Sequence, residues 1–231
     1  MEKYAVVLAG GAGLRAGGEM PKQFQILGGL PVLWWSVKAF HEEDPSTKIR
    51  IVMHPGFFDL WDILYSELPA EEREIDVEIV CGGSSRIESV KRGILGIGST
   101  SDTLVAVHDA ARPLISPEMI GRGWIAAREN GAAVPVVPMI DSIRHLSENG
   151  STAVDRSRYV RVQTPQVFYG DLLKKAYEDL TDEDARILTD DASVVERLGH
   201  KISLYDGEIN NLKITNPIDF AIAGVLIGKL D

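Results

Sequence analysis

The feature that most restricts the fold of this 231-residue chain is a regular alternation of two hydrophobic patterns. Apolar runs of strand length, "KYAVVLA", "KIRIVMH", "DVEIV", "DTLVAVHD" and "GAAVPVVP", take turns with stretches of helical period, "PVLWWSVKAFHEE", "FFDLWDILYSEL", "SSRIESVKRGIL" and "SPEMIGRGWIAAREN". This order predicts an α/β fold: a Rossmann-like, mainly parallel sheet with helices on both faces. Ligands of such sheets bind beyond the carboxyl ends of the strands. The glycine-rich "LAGGAGLRAGGEMPKQF" follows the first strand, "GGSSR" the third and "DAARP" the fourth, so all three are expected on one edge.

The alternation breaks between Met139 and Gln163. There, β-branched residues flank "ENGS", a turn signal for two antiparallel strands. The segment is charged and too long for an ordinary connection, and it reads as a β-hairpin arm, approximately 139–163, protruding from a single domain spanning 1–231. An isolated hairpin is marginal in water, so packing on a second subunit, as a homodimer, is expected of it. The chain then returns with helices over Asp171–Leu180 and Asp191–Leu198, the latter opened by "TDDAS". A strand "KISLYD" and a last helix from Pro217 complete it.

Composition narrows the partners. A net charge of −10 argues against non-specific nucleic-acid binding, which draws its affinity from neutralising backbone phosphates. The one cysteine, Cys81, can form no internal disulfide and offers no CxxC metal spacing, so a reducing cytoplasm is the expected compartment. The N-terminal apolar run stops at a glycine cluster, and the C-terminal "FAIAGVLIG" is about half the length of a membrane span. Both read as parts of a soluble core, with no membrane partner.

Gly11, Gly13 and Ala16 satisfy the spacing of a dinucleotide-binding turn, the mark of an NAD(P)-dependent oxidoreductase. That turn needs a helix at once and an acid about 20 residues on for the ribose. Gly17, Gly18 and Pro21 oppose the helix, and no Asp or Glu occurs from Met20 to His41. A P-loop fails too, because Gly13 and Gly18 are followed by Glu19 and Met20 where Lys and Ser or Thr are required. What remains is an irregular loop of backbone N–H donors with two cations, Arg15 and Lys22, suited to wrapping a triphosphate.

A first strand followed by G-G-x-G-x-R and P-K-Q resembles the signature of the sugar-phosphate nucleotidyltransferases. Further motifs follow in order: "GGSSRIESV" (82–90), "VHDAARP" (107–113), "VPMIDSI" (137–143), "DRSRYVRVQTPQVF" (155–168), "LTDDAS" (188–193) and "NLKITNPID" (211–219). Together they are similar to the 2-C-methyl-D-erythritol 4-phosphate cytidylyltransferase family of non-mevalonate isoprenoid biosynthesis, over nearly the whole chain.

That resemblance implies that CTP and a polyol phosphate are joined with release of pyrophosphate. It implies catalytic roles for Arg15, Lys22, Asp109 and Lys213. The nucleotide would be held by Ala9, Gly10, Gly11 and Gly13 of the loop and by Gly83, Ser84, Arg86, Ser89 and Ala110. The acceptor would meet Arg112, Ser142, Arg156, Thr164 and Thr189. Ser142 and Arg156 fall on the arm, so a dimer would present them to the partner's site.

Asp109, at the exit of a buried strand, is the expected ligand of Mg²⁺, which favours one or two carboxylates plus phosphate oxygens; its competing roles are a helix cap or an ion pair with Arg112. His108 is its neighbour on the strand and is expected to point into the core. The other histidines, at 41, 54, 145 and 200, show no ligand spacing. Either Ser84 or Ser85 is expected to cap a helix. The family more often has threonine at Ser142 and methionine at Ala16. A sister activity, ribitol 5-phosphate cytidylyltransferase, shares the glycine loop, but "HDAARP" and "LTDDAS" favour the methylerythritol phosphate reading.

Overall fold

A computed structural model describes residues 1–11, 20–98, 102–148, 150–181 and 183–228. Strand β1 (Glu2–Leu8) enters the core, and a short hairpin of β2 (Ile26–Leu27) and β3 (Leu30–Pro31) leads into α1 (Val32–Glu43). The alternation continues through β4 (Lys48–Met53), α2 (Phe58–Glu67), β5 (Val77–Cys81), α3 (Arg86–Ile94), β6 (Thr103–Asp109), α4 (Pro117–Asn130) and β7 (Ala132–Pro138). The arm carries β8 (Ile143–Ser147) and β9 (Gly150–Val154). After β10 (Val160–Val162) and β11 (Gln166–Tyr169) come α5 (Gly170–Glu178), α6 (Asp184–Ile187), α7 (Asp191–Glu196), β12 (Ser203–Asp206) and α8 (Pro217–Ile227).

Strands β5, β4, β1 and β6 lie side by side in parallel, and β11 runs antiparallel between β6 and β7. Strand β12 pairs parallel with β7, and β10 pairs antiparallel with it. Among the described residues the sheet therefore has eight strands, mainly parallel, as expected.

Successive residues of β1 point to opposite faces, and both faces are covered. Ala5 and Val7 join a core with Leu33 and Val37 of α1 and Met119 of α4. Tyr4 and Val6 join another with Val90 of α3, Leu173 of α5 and Val195 of α7. Val6, Val7, Leu33 and Leu173 are fully buried, each contributing roughly 1.5–3 kcal/mol relative to exposure. Helix α3 approaches the sheet through Gly93, where a Cβ would stand 2.6 Å from Cγ1 of Val6 and 2.8 Å from Cγ2 of Val52. Helix α4 carries its own start and stop signals. Ser116 accepts from the Met119 N–H at 3.0 Å, Pro117 is the first helical residue, and Gly131 follows the end at φ 83°.

The two antiparallel strands expected around "ENGS" form, with Ile143 opposite Val154 and Ser147 opposite Gly150. It is a separate two-stranded sheet, and Leu146 on it is 76% exposed. The excursion ends earlier than the expected 163, because β10 already pairs Val160–Val162 with Val136–Pro138 of the main sheet. Helices α5 and α7 fall within two residues of their expected limits, and Pro217 opens α8. The β2–β3 hairpin is an addition. Gly28 and Gly29, at φ 57° and 88°, form its two-residue turn, and Trp35 Nε1 donates to the Leu27 carbonyl at 2.8 Å. No helix among the described residues is long and apolar enough to cross a membrane.

Candidate active site at the carboxyl edge of the sheet

The parallel strands β1, β4, β5 and β6 all end on one edge, and a cavity of about 1090 Å³ opens there. Of the residues named from sequence, it brings together Ala9, Gly10 and Gly11 after β1, Lys22, then Gly83, Ser84, Arg86 and Ser89 after β5, Asp109 at the end of β6, and Lys213. Gly13 and Arg15 lie outside the described residues.

Asp109 organises the wall. Its Oδ2 accepts from Lys213 Nζ at 2.8 Å and lies 3.9 Å from Arg112 Nε, while its Oδ1 lies 3.7 Å from Arg86 Nε. The side chain is 13% exposed. Burial opposes ionisation, but Lys213, Arg86 and Arg112 outweigh it and hold the carboxyl well below the usual carboxylate range. The ion pair with Arg112 thus exists alongside the cavity-facing position.

Behind Asp109, its backbone N–H donates to Thr164 Oγ1 at 3.1 Å, and that hydroxyl lies 3.1 Å from Nδ1 of the fully buried His108. Burial pushes His108 down to about 4, so the ring is a neutral core group, packed edge-on against Phe40. Thr164 is 5% exposed and supports Asp109 from within. Arg112 donates to the Asn211 carbonyl at 2.9 Å and stands behind the cavity wall.

The opposite wall is preorganised around its own donors. Ser85 caps α3, accepting from the Glu88 N–H at 3.1 Å. The Ser84 N–H and hydroxyl both donate to the Glu88 carboxylate, at 2.7 and 2.8 Å, and the Gly83 N–H donates to Ser89 Oγ at 3.1 Å. These groups are therefore engaged within the chain, and Ser89, 5% exposed, shapes the turn. Ala110 is 1% exposed and donates its N–H to the Leu8 carbonyl at 3.1 Å; its neighbour Ala111 lines the cavity. Arg86 grips Asp191 through two hydrogen bonds, at 3.1 and 2.6 Å.

Lys22 donates to the Ile214 carbonyl, tying the glycine-loop side of the cavity to the segment that carries Lys213. Gln23, part of the P-K-Q motif but given no role from sequence, donates to the carbonyls of Ala9 and Gly11 at 2.8 and 2.7 Å and so fixes the start of the loop. Thr215 and Asn216 also line the cavity, held by Asp219. His54 lines it as well, since β4 ends on the same edge. Strand order could have found it, because the residue after β4 must fall between the glycine loop and "GGSSR".

None of the five expected acceptor residues is in the cavity lining: Arg112 and Thr164 stand behind it, and the other three are exposed apart from it. Ser142 and Arg156 are exposed on the arm, where Arg156 donates to the Ile140 carbonyl, and Thr189 is exposed two residues before Asp191. Among the described residues no cluster of three His, Cys, Asp or Glu could hold a metal by itself. A single carboxylate among cations does fit a Mg²⁺ ion whose remaining ligands come from a bound triphosphate.

The comparisons agree with this architecture. The family model of 2-C-methyl-D-erythritol 4-phosphate cytidylyltransferase matches residues 4–229. A protein of that description from Bacteroides fragilis is 42% identical over 98% of this chain and 100% of its own length. A crystal structure of the Thermus thermophilus protein of the same description superposes with a TM-score of 0.74 at 31% identity, covering 99% of this chain and 100% of that one. A crystal structure described as 4-diphosphocytidyl-2C-methyl-D-erythritol synthase gives 0.79 at 28% identity, over 98% and 99%. With the match unbroken from β1 through α8, the chain belongs to the 2-C-methyl-D-erythritol 4-phosphate cytidylyltransferase family.

Proposed function

We propose that this chain joins CTP to 2-C-methyl-D-erythritol 4-phosphate, giving 4-diphosphocytidyl-2-C-methyl-D-erythritol and pyrophosphate in non-mevalonate isoprenoid biosynthesis. Membership of the family supports the reaction, and the observation that carries it to these residues is the convergence of Lys22, Lys213, Arg86 and Asp109 on one cavity at the ligand edge, with Lys213 and Arg86 facing Asp109. An oxygen of the acceptor phosphate attacks the α-phosphorus, the bond from that phosphorus to the bridging oxygen breaks, and the electron pair leaves with pyrophosphate. Both reactants are anions, so the chain's task is to offset repulsion, align the attack and stabilise charge on the α-phosphate and leaving group. No nucleophilic side chain is required.

Lys22 is a mobile point charge, held at rest by a neutral carbonyl, and is suited to move onto the phosphates. Arg15 is assigned to the same task by family resemblance. Lys213, paired with Asp109 at 2.8 Å, bridges the nucleotide wall and the acceptor side. Mg²⁺, carried on the triphosphate and anchored by Asp109, would neutralise phosphate charge. The proposed dimer completes the site through the arm. Its support is the exposure of Leu146, Tyr159 and Val162, together with the position of Ser142 and Arg156 outside the cavity-lining set. The reaction is assigned to the cytoplasm, which suits the free, exposed Cys81.

The deciding experiment offers the purified protein CTP or UTP with either methylerythritol phosphate or ribitol 5-phosphate and measures pyrophosphate. Release only with CTP, Mg²⁺ and methylerythritol phosphate is expected. Preference for ribitol phosphate, or no release with any pair, overturns the reading.

A further inference from the structure

We propose that Asp191, with Tyr177 behind it, is a positioning residue that holds the fork of Arg86 away from Asp109 and so keeps one oxygen of Asp109 open to the ligand. The inference rests on the proposed reaction for its purpose, and on geometry for its content. Asp191 is fully buried, yet it lies one side chain from the cavity. Arg86 Nη1 donates to its Oδ1 at 3.1 Å and Nη2 to its Oδ2 at 2.6 Å, the two-pronged pairing that guanidinium and carboxylate favour. The Tyr177 hydroxyl also donates to Oδ1. Burial alone would disfavour the charge on Arg86, and Asp191 more than compensates for it.

The alternative partner for Arg86 is close. Its Nε lies only 3.7 Å from Oδ1 of Asp109. Lys213 occupies Oδ2 of Asp109, whereas among the described residues Oδ1 accepts no hydrogen bond. A guanidinium without Asp191 would have Asp109 as its nearest carboxylate and would close onto Oδ1. The Arg86 side chain is 30% exposed and Asp191 is fully buried, so the buried carboxylate needs the fork as its counter-charge and holds it away from the reacting groups.

The clamp is itself anchored. Asp191 is the first residue of α7, whose cap Asp190 accepts from Gln166 Nε2 at 2.8 Å, while Gln166 Oε1 accepts from the Ala192 N–H at 2.8 Å. Gln166 belongs to β11, next to β6, so the clamp and Asp109 are referred to the same sheet. The sequence hides this role. In "LTDDAS" the first aspartate is the cap and the second resembles an ordinary first-turn acid, although it is the one that is buried.

The test uses the full chain with the variants Asp191→Asn, Tyr177→Phe, Arg86→Gln and Arg86→Gln/Asp191→Asn. CTP affinity is measured by calorimetry without acceptor, turnover is measured with both substrates, and folding is monitored by Tm. Asp191→Asn keeps shape and an acceptor for Tyr177 but releases the fork, and a roughly 10-fold or greater fall in kcat is expected, the scale for removing a residue that orients a site group. Tyr177→Phe moves kcat in the same direction by a smaller factor. With Arg86→Gln as its control, the double variant shows no further fall in kcat beyond that of Arg86→Gln alone, because without the fork Asp191 has nothing to hold away from Asp109.

That loss of the Asp191 effect separates positioning through Arg86 from mere structural support, which would make the losses add. Wild-type kcat and CTP affinity in Asp191→Asn, or additive losses in the double variant, overturn the proposal. Should Asp191→Asn not fold, Tyr177→Phe decides: unchanged kcat and CTP affinity overturn it. A wild-type protein that binds CTP but forms no pyrophosphate would sink the functional reading instead, leaving CTP affinity to test the clamp.

Discussion

Asp109 and Arg156 are both charged groups expected at one substrate, and the protein presents them in opposite ways. Asp109 ends a central strand, is 13% exposed and faces three cations. Arg156 is exposed beside a hairpin whose strands pair only with each other. In the first setting low solvent access makes each charge interaction strong; in the second, water screens it. The difference teaches that the central wall is complete within one chain, whereas the arm acquires force only when something covers it. The two halves of the proposed acceptor site are thus built to different standards of rigidity.

The comparison is tested hardest at its rigid end. Asp109→Asn leaves three cations without their common counter-charge, and steady-state kinetics are expected to show a fall in kcat of about 10³-fold, the upper end for one preorganised group. A loss under tenfold would mean that the wall is structural rather than reactive.

His108 gives a second, independent measure of that rigidity. Its folded pKa lies near 4 against an ordinary 6.5, so between those values the unfolded chain binds more protons. Stability is therefore full above about 6.5 and declines as pH falls toward 4, by on the order of 3 kcal/mol in total. Denaturant titrations from pH 7 to pH 4 on wild type and His108→Gln check this, the variant losing that part of the slope. An equal slope in both would place the acid sensitivity elsewhere.

Lys22→Ala is expected to lower kcat by about 10²-fold, the scale for one transition-state donor, with a smaller effect on Tm, because its ammonium lies at the cavity edge rather than in the core. The mildest effect belongs to the arm. Arg156→Ala should raise the acceptor KM by about tenfold, leave the CTP KM near wild type and shift stability by less than about 0.5 kcal/mol. Equal KM effects on both substrates would remove Arg156 from the acceptor side. Mixed dimers of Lys22→Ala and Arg156→Ala chains would show the wild-type acceptor KM if sites are shared between subunits, since one site then holds both wild-type residues, and the raised KM if each site is built from one chain.

What the sequence revealed follows the same division. The sheet was legible because the central strands β1 and β6 appear as buried apolar runs, β4 and β5 toward the edge keep that pattern around Arg50 and Glu78, and the order of the four alone gathers the three loops on one edge. The arm was legible because "ENGS" punctuates β-branched residues. The β2–β3 hairpin was missed because strands of two residues are too short to show alternation, although "GG" is itself a turn signal.

At the site, motif reading found the cavity-facing letters but not what restrains them. Ser84 reads as a ligand donor, yet Glu88, four residues on, takes both its N–H and its hydroxyl. Ala110 and Ala111 are identical letters, and only the register of β6 decides which reaches the cavity. Gln23 and Asp191 sit inside recognised motifs, yet their roles are not legible there, because their partners are 12 and 105 positions away.

Gly93 has a consequence for anything made to fit this cavity. Because α3 meets the methyl groups of Val6 and Val52 at Gly93 with no side chain between, its last turn is held close against the sheet, while Ser84, Ser85 and Glu88 tie down its opening. The segment from Gly83 to Ser89 therefore acts as a fixed gauge. An inhibitor aimed at it must match a rigid outline, and resistance through a small shift of that helix is closed to the protein.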